Sequence, residues 1–422
     1  MGSLYHSVLG PILNLGDMHS QTKVSPPVAA GPKQRIPSLD LLRGLVMAIM
    51  VLDHARNYFY YGSFYGDPTD IETTTPMLFF TRFITHFCAP VFVFLAGTGA
   101  FLYGEKRDSR QLFRFLISRG LWLMVLELTL VGFAWTFDLS FSFQILQVFW
   151  VIGLSMVGLA FLVYLPKSLV AVLGFVLVFG HNLLDGVVED GHGVSAWVWY
   201  LLHQDKFLVL HEGSHAIFFH YQVLPWFGLM LLGYVFGTYY SGNYPKASRK
   251  KWLLIWGNLA LVLFVVLRAA NVYGDPHPWQ LYPTETQTFL SFFNLTKYPP
   301  SLLFLLLTMG PALILLYLLE KPLGNWVQPL LLFGRVPLFF YVVHLYLLHL
   351  GAMILHAVLG GDASEFVLSA PNFLEAPLAH YGYPLWVVYG VWVLSLLILY
   401  PLCLNYAYFK QLHRGRWWVS YI

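Results

Sequence analysis

Charged side chains are scarce in this chain of 422 residues. Aspartate, glutamate, lysine and arginine together make up 11% of it, whereas a soluble domain contains about 25%. Hydrophobic residues make up 58% and aromatic residues 18%. The composition therefore places the chain in a lipid bilayer, and a formal net charge of only +3 argues against nucleic acid as a partner.

Cysteine is also scarce. The chain has two cysteines, Cys88 and Cys403, both within apolar segments, so they cannot form a disulfide framework and are expected to be buried thiols. The chain shows no obvious internal repeat and no insert large enough for a soluble domain. We therefore predict one membrane domain at residues 35–410, with a flexible tail at 1–34 and a cytoplasmic tail at 411–422.

Apolar stretches of about 20 residues, the length needed to cross a bilayer as a helix, occur ten times. Their approximate limits are 39–59, 78–103, 114–135, 143–165, 168–188, 221–241, 252–271, 301–319, 328–354 and 383–405. The predicted fold class is all-α, a polytopic integral membrane bundle of about ten transmembrane helices. The expected location is a plasma membrane, the inner membrane if the source is bacterial.

Basic residues predict the orientation of these crossings. They form four clusters: Lys33 and Arg35; Lys106, Arg107, Arg110 and Arg114; Lys246, Arg249, Lys250 and Lys251; Lys410, Arg414 and Arg416. With ten crossings, all four clusters fall on one side of the membrane. Lysine and arginine are enriched in cytoplasmic loops, so both termini are predicted to be cytoplasmic.

The first crossing carries ionisable residues inside both of its ends. The stretch SLDLLRGLVMAIMVLDHARNYF contains Asp40, Arg43, Asp53, His54 and Arg56. Such residues at membrane depth normally face a cavity, a partner or a substrate. His54 follows Arg43 by three helical turns plus about 20°, so the two lie on one face, about 16 Å apart along the axis. This alignment favours a functional role. The alternative is an Asp40–Arg43 pair that only anchors the helix end.

The second crossing adds Arg82 and His86, four positions apart on one helical face. A histidine near neutrality can take a proton from a hydroxyl or amine nucleophile, and a neighbouring carboxylate can orient it. Asp53 and Asp67 are neighbouring carboxylates in the sequence. The alternative is a structural pair between Arg82 and an aspartate, with His86 serving only in helix packing.

Two later segments supply further candidates. Lys297 precedes Pro299-Pro300 at the start of the eighth crossing, where exposed helix amides form a candidate anion site; a lysine that only extends to the membrane surface is the alternative. The ninth segment contains Arg335, His344 and His349. The two histidines point about 140° apart on a helix, so they are not expected to bind one ion together.

The stretch HEGSH at 211–215 matches the HExxH motif of zinc peptidases. That motif acts from a helix, where two histidines bind zinc and the glutamate is the base. Glycine and serine inside the motif, and its place in a histidine-rich loop, argue against this chemistry. A metallopeptidase is therefore a minor alternative, and no metal is expected.

Five blocks of the sequence together resemble the bacterial membrane family related to the catalytic domain of heparan-alpha-glucosaminide N-acetyltransferase. They are RIPSLDLLRGLVMAIMVLDHARNYF, FFTRFITHFCAPVFVFLAGTGAFL, LPWFGLMLLGYVFG, FFNLTKYPPSLLFLLLTMGPALILL and FGRVPLFFYVVHLYLLHL. The resemblance extends from Arg35 to about Tyr400. It implies an enzyme that takes an acyl unit from acyl-CoA and delivers it to a sugar across the membrane.

The resemblance also implies a catalytic histidine. The family resembles a wider group of transmembrane acyltransferases, which has a second branch, the integral membrane acyltransferases of type three. That branch uses an arginine and a histidine on the first helix with ten residues between them. Arg43 and His54 fit that spacing. In heparan-alpha-glucosaminide N-acetyltransferase itself, the lysosomal enzyme, the active histidine lies in the loop after the first helix, but the comparable stretch Tyr61–Thr74 of this chain contains no histidine. The resemblance therefore favours His54, with Asp53 or Asp67 as its orienting carboxylate; His86 is the reserve.

The predicted function is transfer of an acetyl or related acyl group from acyl-CoA to a sugar hydroxyl or amine on the extracytoplasmic side. His54 deprotonates the acceptor or carries the acyl group transiently. The expected acyl-CoA contacts are Arg43, Arg82, Lys297, Arg335 and His344. The alternatives are a transporter or flippase for a sugar or lipid-linked solute, and a sensor or scaffold. Whether the chain forms a homodimer stays open.

Overall fold

The computed structural model describes residues 36–413, 415–416 and 419. The predicted tail at 1–34 lies outside the described residues, as does part of the tail predicted at 411–422. The last helix extends to Leu412, so the predicted boundary at 410 falls inside it.

The described residues form sixteen α-helices and three short β-strands. The helices are α1 Pro37–Phe59, α2 Pro76–Thr85, α3 Cys88–Gly104, α4 Ser109–Leu126, α5 Gly132–Thr136, α6 Val148–Leu162, α7 Lys167–Gly180, α8 Val194–Leu202, α9 Val223–Phe236, α10 Lys246–Ala270, α11 Glu285–Phe293, α12 Leu302–Leu319, α13 Gln328–Arg335, α14 Pro337–Val358, α15 Ala370–Glu375 and α16 Leu385–Leu412. The strands are β1 Phe143–Leu146, β2 Lys206–Leu210 and β3 His215–Phe219.

The all-α membrane architecture predicted from the sequence is confirmed. In the part of the chain that the structure describes, eight helical spans are long and apolar enough to cross a membrane. They coincide with eight of the ten predicted crossings. The other two predicted crossings are α1, which contains four charged residues, and α6, an apolar helix of 15 residues. Every predicted crossing therefore contains a helix.

Several predicted crossings are interrupted. The crossing predicted at 328–354 divides between α13 and α14 because Val336 is non-helical (φ −126°, ψ 49°) and Pro337 begins the next helix. Proline disfavours helical geometry in the residue before it and lacks the N–H that would continue the hydrogen-bond ladder. The crossing predicted at 78–103 likewise divides between α2 and α3, and a π-helical segment, Glu127–Val131, separates α4 from α5.

The small sheet was not predicted. Its strand order is β1-β3-β2, with β1 parallel and β2 antiparallel to β3. The crossing predicted at 143–165 was wrong over its first four residues, which form β1. A stretch of four residues such as FQIL is too short for its hydrophobic pattern to separate a strand from the beginning of a buried helix.

The start of α1, the loop after α3 and the start of α10 lie at one end of the bundle, and each adjoins or contains one of the predicted basic clusters; Lys33 and Arg35 themselves lie outside the described residues. Ser38 Oγ, at the start of α1, donates to Glu320 Oε1 (2.9 Å), and Arg249 in α10 donates to Glu320 Oε2 (2.5 Å). In the loop after α3, Glu105 accepts hydrogen bonds from Ser241 and from the Gly242 amide, just before α10. These contacts agree with the predicted arrangement of basic loops, and the cytoplasmic assignment of this end stays a prediction.

The charged helix α1 lies inside the bundle. It packs against α2, α3, α12, α13, α14 and α16, and 18 of its 23 residues are buried. Because protein rather than lipid surrounds it, its ionisable residues can be paired. Its closest neighbour is α13, where a Cβ on Gly44 would lie 1.8 Å from the Leu330 carbonyl oxygen and a Cβ on Gly334 would lie 1.9 Å from that of Asp40.

Candidate active site

A pair of hydrogen-bonded histidines joins α1 to α14. His54 Nδ1 lies 2.6 Å from His344 Nε2, and His344 Nδ1 lies 3.0 Å from the Phe340 carbonyl oxygen. A carbonyl oxygen can only accept, so His344 Nδ1 carries the proton. A neutral imidazole has one donor and one acceptor nitrogen. His344 Nε2 must therefore accept from His54 Nδ1, which leaves the lone pair of His54 on Nε2.

Aromatic packing holds this pair in place. The ring of Trp135 meets the His54 ring edge-on with centroids 4.9 Å apart, and Tyr341 meets it edge-on at 6.4 Å. His344 is fully buried, and its ring also contacts Phe340. The His54 imidazole is therefore fixed both by its hydrogen bond and by its neighbours, as a general base needs to be.

A small polar cavity adjoins His54. Its lining residues are Met50, Asp53, His54, Thr85, Cys88, Ala89, Phe92, Gln147, Val148, Tyr221, Lys297 and Tyr341. The volume of the cavity is about 30 Å³, and a cavity of about 10–15 Å³ is enough to hold one water molecule. The structure thus brings Lys297 and Asp53 to the same cavity as His54.

Asp53 is held by two arginines and not by His54. Arg82 Nη1 donates to both of its carboxylate oxygens (2.7 and 2.5 Å), and Arg56 Nη2 donates to Oδ1 (3.1 Å). Arg82 and Asp53 thus form the structural pair that the sequence allowed as the alternative to a catalytic arrangement. The proposal that Asp53 orients His54 needs correction, because the Nδ1 atom that a carboxylate would accept from is bonded to His344.

Asp67 is placed differently from the prediction. Its exposed carboxylate accepts hydrogen bonds from the backbone N–H (2.8 Å) and the hydroxyl (2.7 Å) of Thr69, two residues later. This local pattern stabilises a turn. Among the described residues, no hydrogen bond joins Asp67 to His54, whose Nδ1 is hydrogen-bonded to His344 instead.

His86 is buried at the end of α2, against α12. Its ring lies 5.2 Å from that of Phe304 and 6.2 Å from that of Phe83, and it is not among the residues that line the cavity beside His54. The structure thus places it near the cavity wall but in an aromatic environment. A reserve catalytic role for His86 stays a prediction.

Two residues that the sequence analysis did not select hold the Lys297 loop. Asp275 accepts hydrogen bonds from the Thr296 N–H (3.0 Å) and from the Ser301 hydroxyl (2.6 Å), on either side of Lys297. Buried Arg268 donates to the carbonyls of His277, Ser291, Phe292 and Asn294. The sequence carried one signal for Arg268, because an arginine near the end of an otherwise apolar helix such as α10 normally has a partner or a function.

Arg43 and Arg335 lie away from the histidine pair. Arg43 Nη1 donates to Asp40 Oδ1 (2.9 Å) and to the Gly334 carbonyl (3.1 Å), and exposed Arg335 is the next residue of α13. Along α1, Arg43 is about 16 Å from His54. The structure therefore divides the predicted acyl-CoA contacts into two groups, one near His54 and one at the opposite end of the helix.

A family model described as heparan-alpha-glucosaminide N-acetyltransferase, catalytic, matches residues 35–269, more than half of the chain. The chain belongs to this family. A search of curated proteins gave no significant match. The relation expected from the sequence is therefore confirmed, and with it a membrane-embedded, transferase-like class for the chain.

In this acetyltransferase family member, the site combines residues inside and outside the matched region. His54, Asp53 and Arg82 fall within residues 35–269, whereas Lys297 and His344 follow it. The contact between His54 and His344 thus joins the matched region to the rest of the bundle.

In this family member the HEGSH stretch at 211–215 does not form the helix that a zinc-peptidase motif requires. His211–Gly213 form a single 3₁₀ turn, and His211 and Glu212 both have positive φ. His215 already belongs to β3. The histidines therefore do not stand one helical turn apart on a helix, as the peptidase motif requires, and the metallopeptidase alternative is abandoned.

A larger cavity of about 250 Å³ lies among α3, α7, α9, α10 and α12. Its walls are apolar side chains such as Phe175, Leu229 and Met309, and no histidine, lysine or carboxylate lines the described part of it. This space suits hydrocarbon, and the hydroxyl groups of Thr238 and Tyr239 are among its polar side-chain groups. The smaller polar cavity is therefore the candidate active site.

Proposed function

We propose that the chain transfers an acetyl or related acyl group from acyl-CoA to the amine or hydroxyl of a glucosaminide-type sugar at the extracytoplasmic side of a plasma membrane. The family supports a transferase class. The observation that carries the specific proposal is the hydrogen-bond chain from Phe340 O through His344 to His54, which leaves a lone pair on Nε2 of a cavity-lining histidine.

The proposed reaction is a direct transfer. His54 Nε2 takes the proton of the acceptor hydroxyl or amine as the acceptor atom attacks the thioester carbonyl carbon. The tetrahedral oxyanion then collapses, the carbon–sulfur bond breaks, and the CoA sulfur takes the proton back from His54. The products are the acylated sugar and CoA thiol. Histidine bases of this kind contribute about 10²–10⁴-fold in rate.

Positive charge near His54 supports the proposed intermediate. Lys297 lines the cavity, while Arg82 and Arg56 share the single carboxylate of Asp53. Three cations and one anion give this group a net charge of +2. A fixed cation close to a developing oxyanion lowers its energy without reorganisation. We assign this role to Lys297, because it lines the cavity whereas Arg82 and Arg56 do not.

The nucleotide end of acyl-CoA is proposed to bind at the basic end of the bundle. Exposed Arg335 and partly exposed Arg43 lie there together, about 16 Å from His54 along α1. An extended cofactor could then place its phosphates at this end and its thioester at the cavity. In this arrangement the donor enters from the predicted cytoplasmic side and the acceptor from the opposite side.

The test uses purified full-length protein in lipid nanodiscs with acetyl-CoA and glucosamine. CoA thiol release and acylated sugar mass are measured for the wild type, His54→Gln and His192→Ala, the last being an exposed loop histidine. We expect equal amounts of CoA and product from the wild type and from His192→Ala, and a loss of about 10²-fold or more in His54→Gln. Undiminished transfer by a folded His54→Gln protein would overturn the proposal.

A further inference from the structure

A second cluster of histidine and carboxylate groups lies apart from the cavity. His181 follows α7, Asp185 lies four residues later, and His203 ends α8. One ligand atom from each residue can be chosen so that all three lie within 4.8 Å of one another. Both histidines are more than nine-tenths buried.

The buried nitrogens of this cluster are not satisfied by protein groups. Among the described residues, neither ring nitrogen of His181 has a hydrogen-bond partner, and the same holds for Nδ1 of His203. Buried polar atoms are nearly always paired, and exceptions call for an explanation such as an ion. The His181 and His203 rings lie 5.4 Å apart, so the two histidines border the same site and each can offer one ring nitrogen to it.

We propose that His181, Asp185 and His203 bind one zinc ion. Two imidazoles and a carboxylate are a ligand set that zinc commonly takes, with a fourth position left for water or another donor. A tetrahedral ion with bonds of about 2.0–2.2 Å places its ligand atoms about 3.5 Å apart. The three ligand atoms lie within 4.8 Å of one another, so they must approach one another further when the ion binds.

Neighbouring groups already orient the carboxylate. Asn182 Nδ2 donates to Asp185 Oδ2 (2.8 Å), and His203 Nε2 lies 3.1 Å from Asp185 Oδ1. The Asn182 bond is an outer contact of the kind that holds a metal ligand in place, whereas the His203–Asp185 contact shows that two of the proposed ligands already meet. Asn182 Oδ1 also accepts from the Leu302 N–H (2.9 Å) at the first turn of α12. The ion would thus tie the ends of α7 and α8 to the start of α12, directly after the Lys297 loop.

This site departs from the sequence expectation of no metal. His203 is 22 positions after His181 and on another helix, so the three residues do not form a compact motif. The inference does not depend on acyl transfer, because its readout is metal content and not activity.

The experiment measures zinc on the full-length protein in detergent. The protein is stripped with a chelator, exchanged into metal-free buffer, loaded with zinc chloride and freed of excess by gel filtration before elemental analysis. We expect about one zinc per wild-type chain, and loss of that zinc in His181→Ala and in Asp185→Asn. Asn182→Ala should weaken zinc binding by roughly 10–100-fold, the usual effect of losing an outer contact.

Two controls separate this site from other histidines. His356→Ala removes a histidine paired with Glu365 (2.9 Å), and a His211→Ala/His215→Ala double variant removes the exposed pair in the β2–β3 turn. Both should keep the zinc. A wild-type protein without zinc above background would overturn the proposal, as would zinc that disappears only in the His211→Ala/His215→Ala variant.

If the cluster variants fail to fold, wild-type protein alone still decides the question. Cobalt(II) is added to the stripped protein in place of zinc, and the visible spectrum is recorded together with the unfolding temperature. We expect the intense absorption of four-coordinate cobalt and a higher unfolding temperature with either metal, because an ion that binds only the folded state stabilises it. A featureless spectrum with no change in unfolding temperature would contradict the assignment.

Discussion

His54 and His344 are 290 positions apart in the chain, yet Nδ1 of the first and Nε2 of the second are separated by 2.6 Å. The direction of this hydrogen bond is set by the Phe340 carbonyl, which accepts from the other nitrogen of His344. The backbone of α14 thereby determines which nitrogen of His54, on α1, carries the lone pair. His344 acts through His54 and is a positioning residue in this account.

Replacing His344 should separate positioning from packing. His344→Ala removes the acceptor for His54 Nδ1, and we expect kcat to fall by roughly 10²-fold, at the lower end of what a general base contributes, with a much smaller change in KM. His344→Gln supplies a side-chain oxygen as acceptor and should recover part of that loss. Steady-state acyl transfer by both variants checks this. Equal kcat values for the two would show that the hydrogen bond is not needed.

The ion pair between Asp53 and Arg82 should be strongly coupled. Asp53→Ala leaves Arg82 and Arg56 buried without their carboxylate, and breaking a buried pair in this way costs about 3–5 kcal/mol. We expect the Asp53→Ala/Arg82→Ala double variant to lose less free energy of unfolding than the sum of the single variants. Unfolding in detergent across the double-mutant cycle measures the difference. Additive losses would mean that the pair contributes no coupling.

Much of the architecture was predictable from apolar run length and from the placement of charge. Each of the ten runs contains at least one helix, although three of the runs are divided between two helices, and the charges of α1 correctly marked it as a helix surrounded by protein. Lys297 and His54 were both selected, and both line the polar cavity. These successes share one cause. An ionisable residue in an apolar segment stands out from its neighbours even when its partner is unknown.

The partners themselves were not predictable. Nothing local in the sequence links His54 to His344, and the nearer carboxylates Asp53 and Asp67 were the natural choices for an orienting group. Their actual contacts, to Arg82 and to Thr69, depend on how α1, α2 and the following loop pack. The strand β1 was missed for a different reason, since a four-residue stretch is too short for its hydrophobic pattern to distinguish strand from helix.

The contact between α1 and α13 should tolerate no side chain at Gly44. A Cβ there would lie 1.8 Å from the Leu330 carbonyl oxygen, so Gly44→Ala must separate the two helices. We expect a loss of about 1–3 kcal/mol in the free energy of unfolding, the usual cost of overpacking. The matched control is Gly99→Ala in α3, where nothing lies within 4 Å of the added atom. Thermal unfolding of both proteins in detergent provides the comparison; equal stabilities would contradict this packing.

Arg268 should not be replaceable by lysine. Its guanidinium donates to four backbone carbonyls at residues 277–294, and an ammonium group cannot reproduce that planar set of donors. We expect Arg268→Lys to loosen the segment before Lys297, which increases amide hydrogen exchange there, and to reduce acyl transfer. Hydrogen-exchange mass spectrometry of the 271–301 region checks the first effect. Unchanged exchange in the variant would show that Arg268 does not hold this loop.

The most direct measurement is an experimental structure of the wild-type protein with a non-cleavable thioether analogue of acetyl-CoA. An acceptor atom must lie within hydrogen-bonding distance of His54 Nε2 and in near-attack contact with the carbonyl carbon, so that carbon should be within about 6 Å of Nε2. We predict density for the acyl end in the cavity bounded by His54 and Lys297, with the nucleotide toward Arg43 and Arg335. An analogue bound with its acyl end outside that cavity would contradict the account.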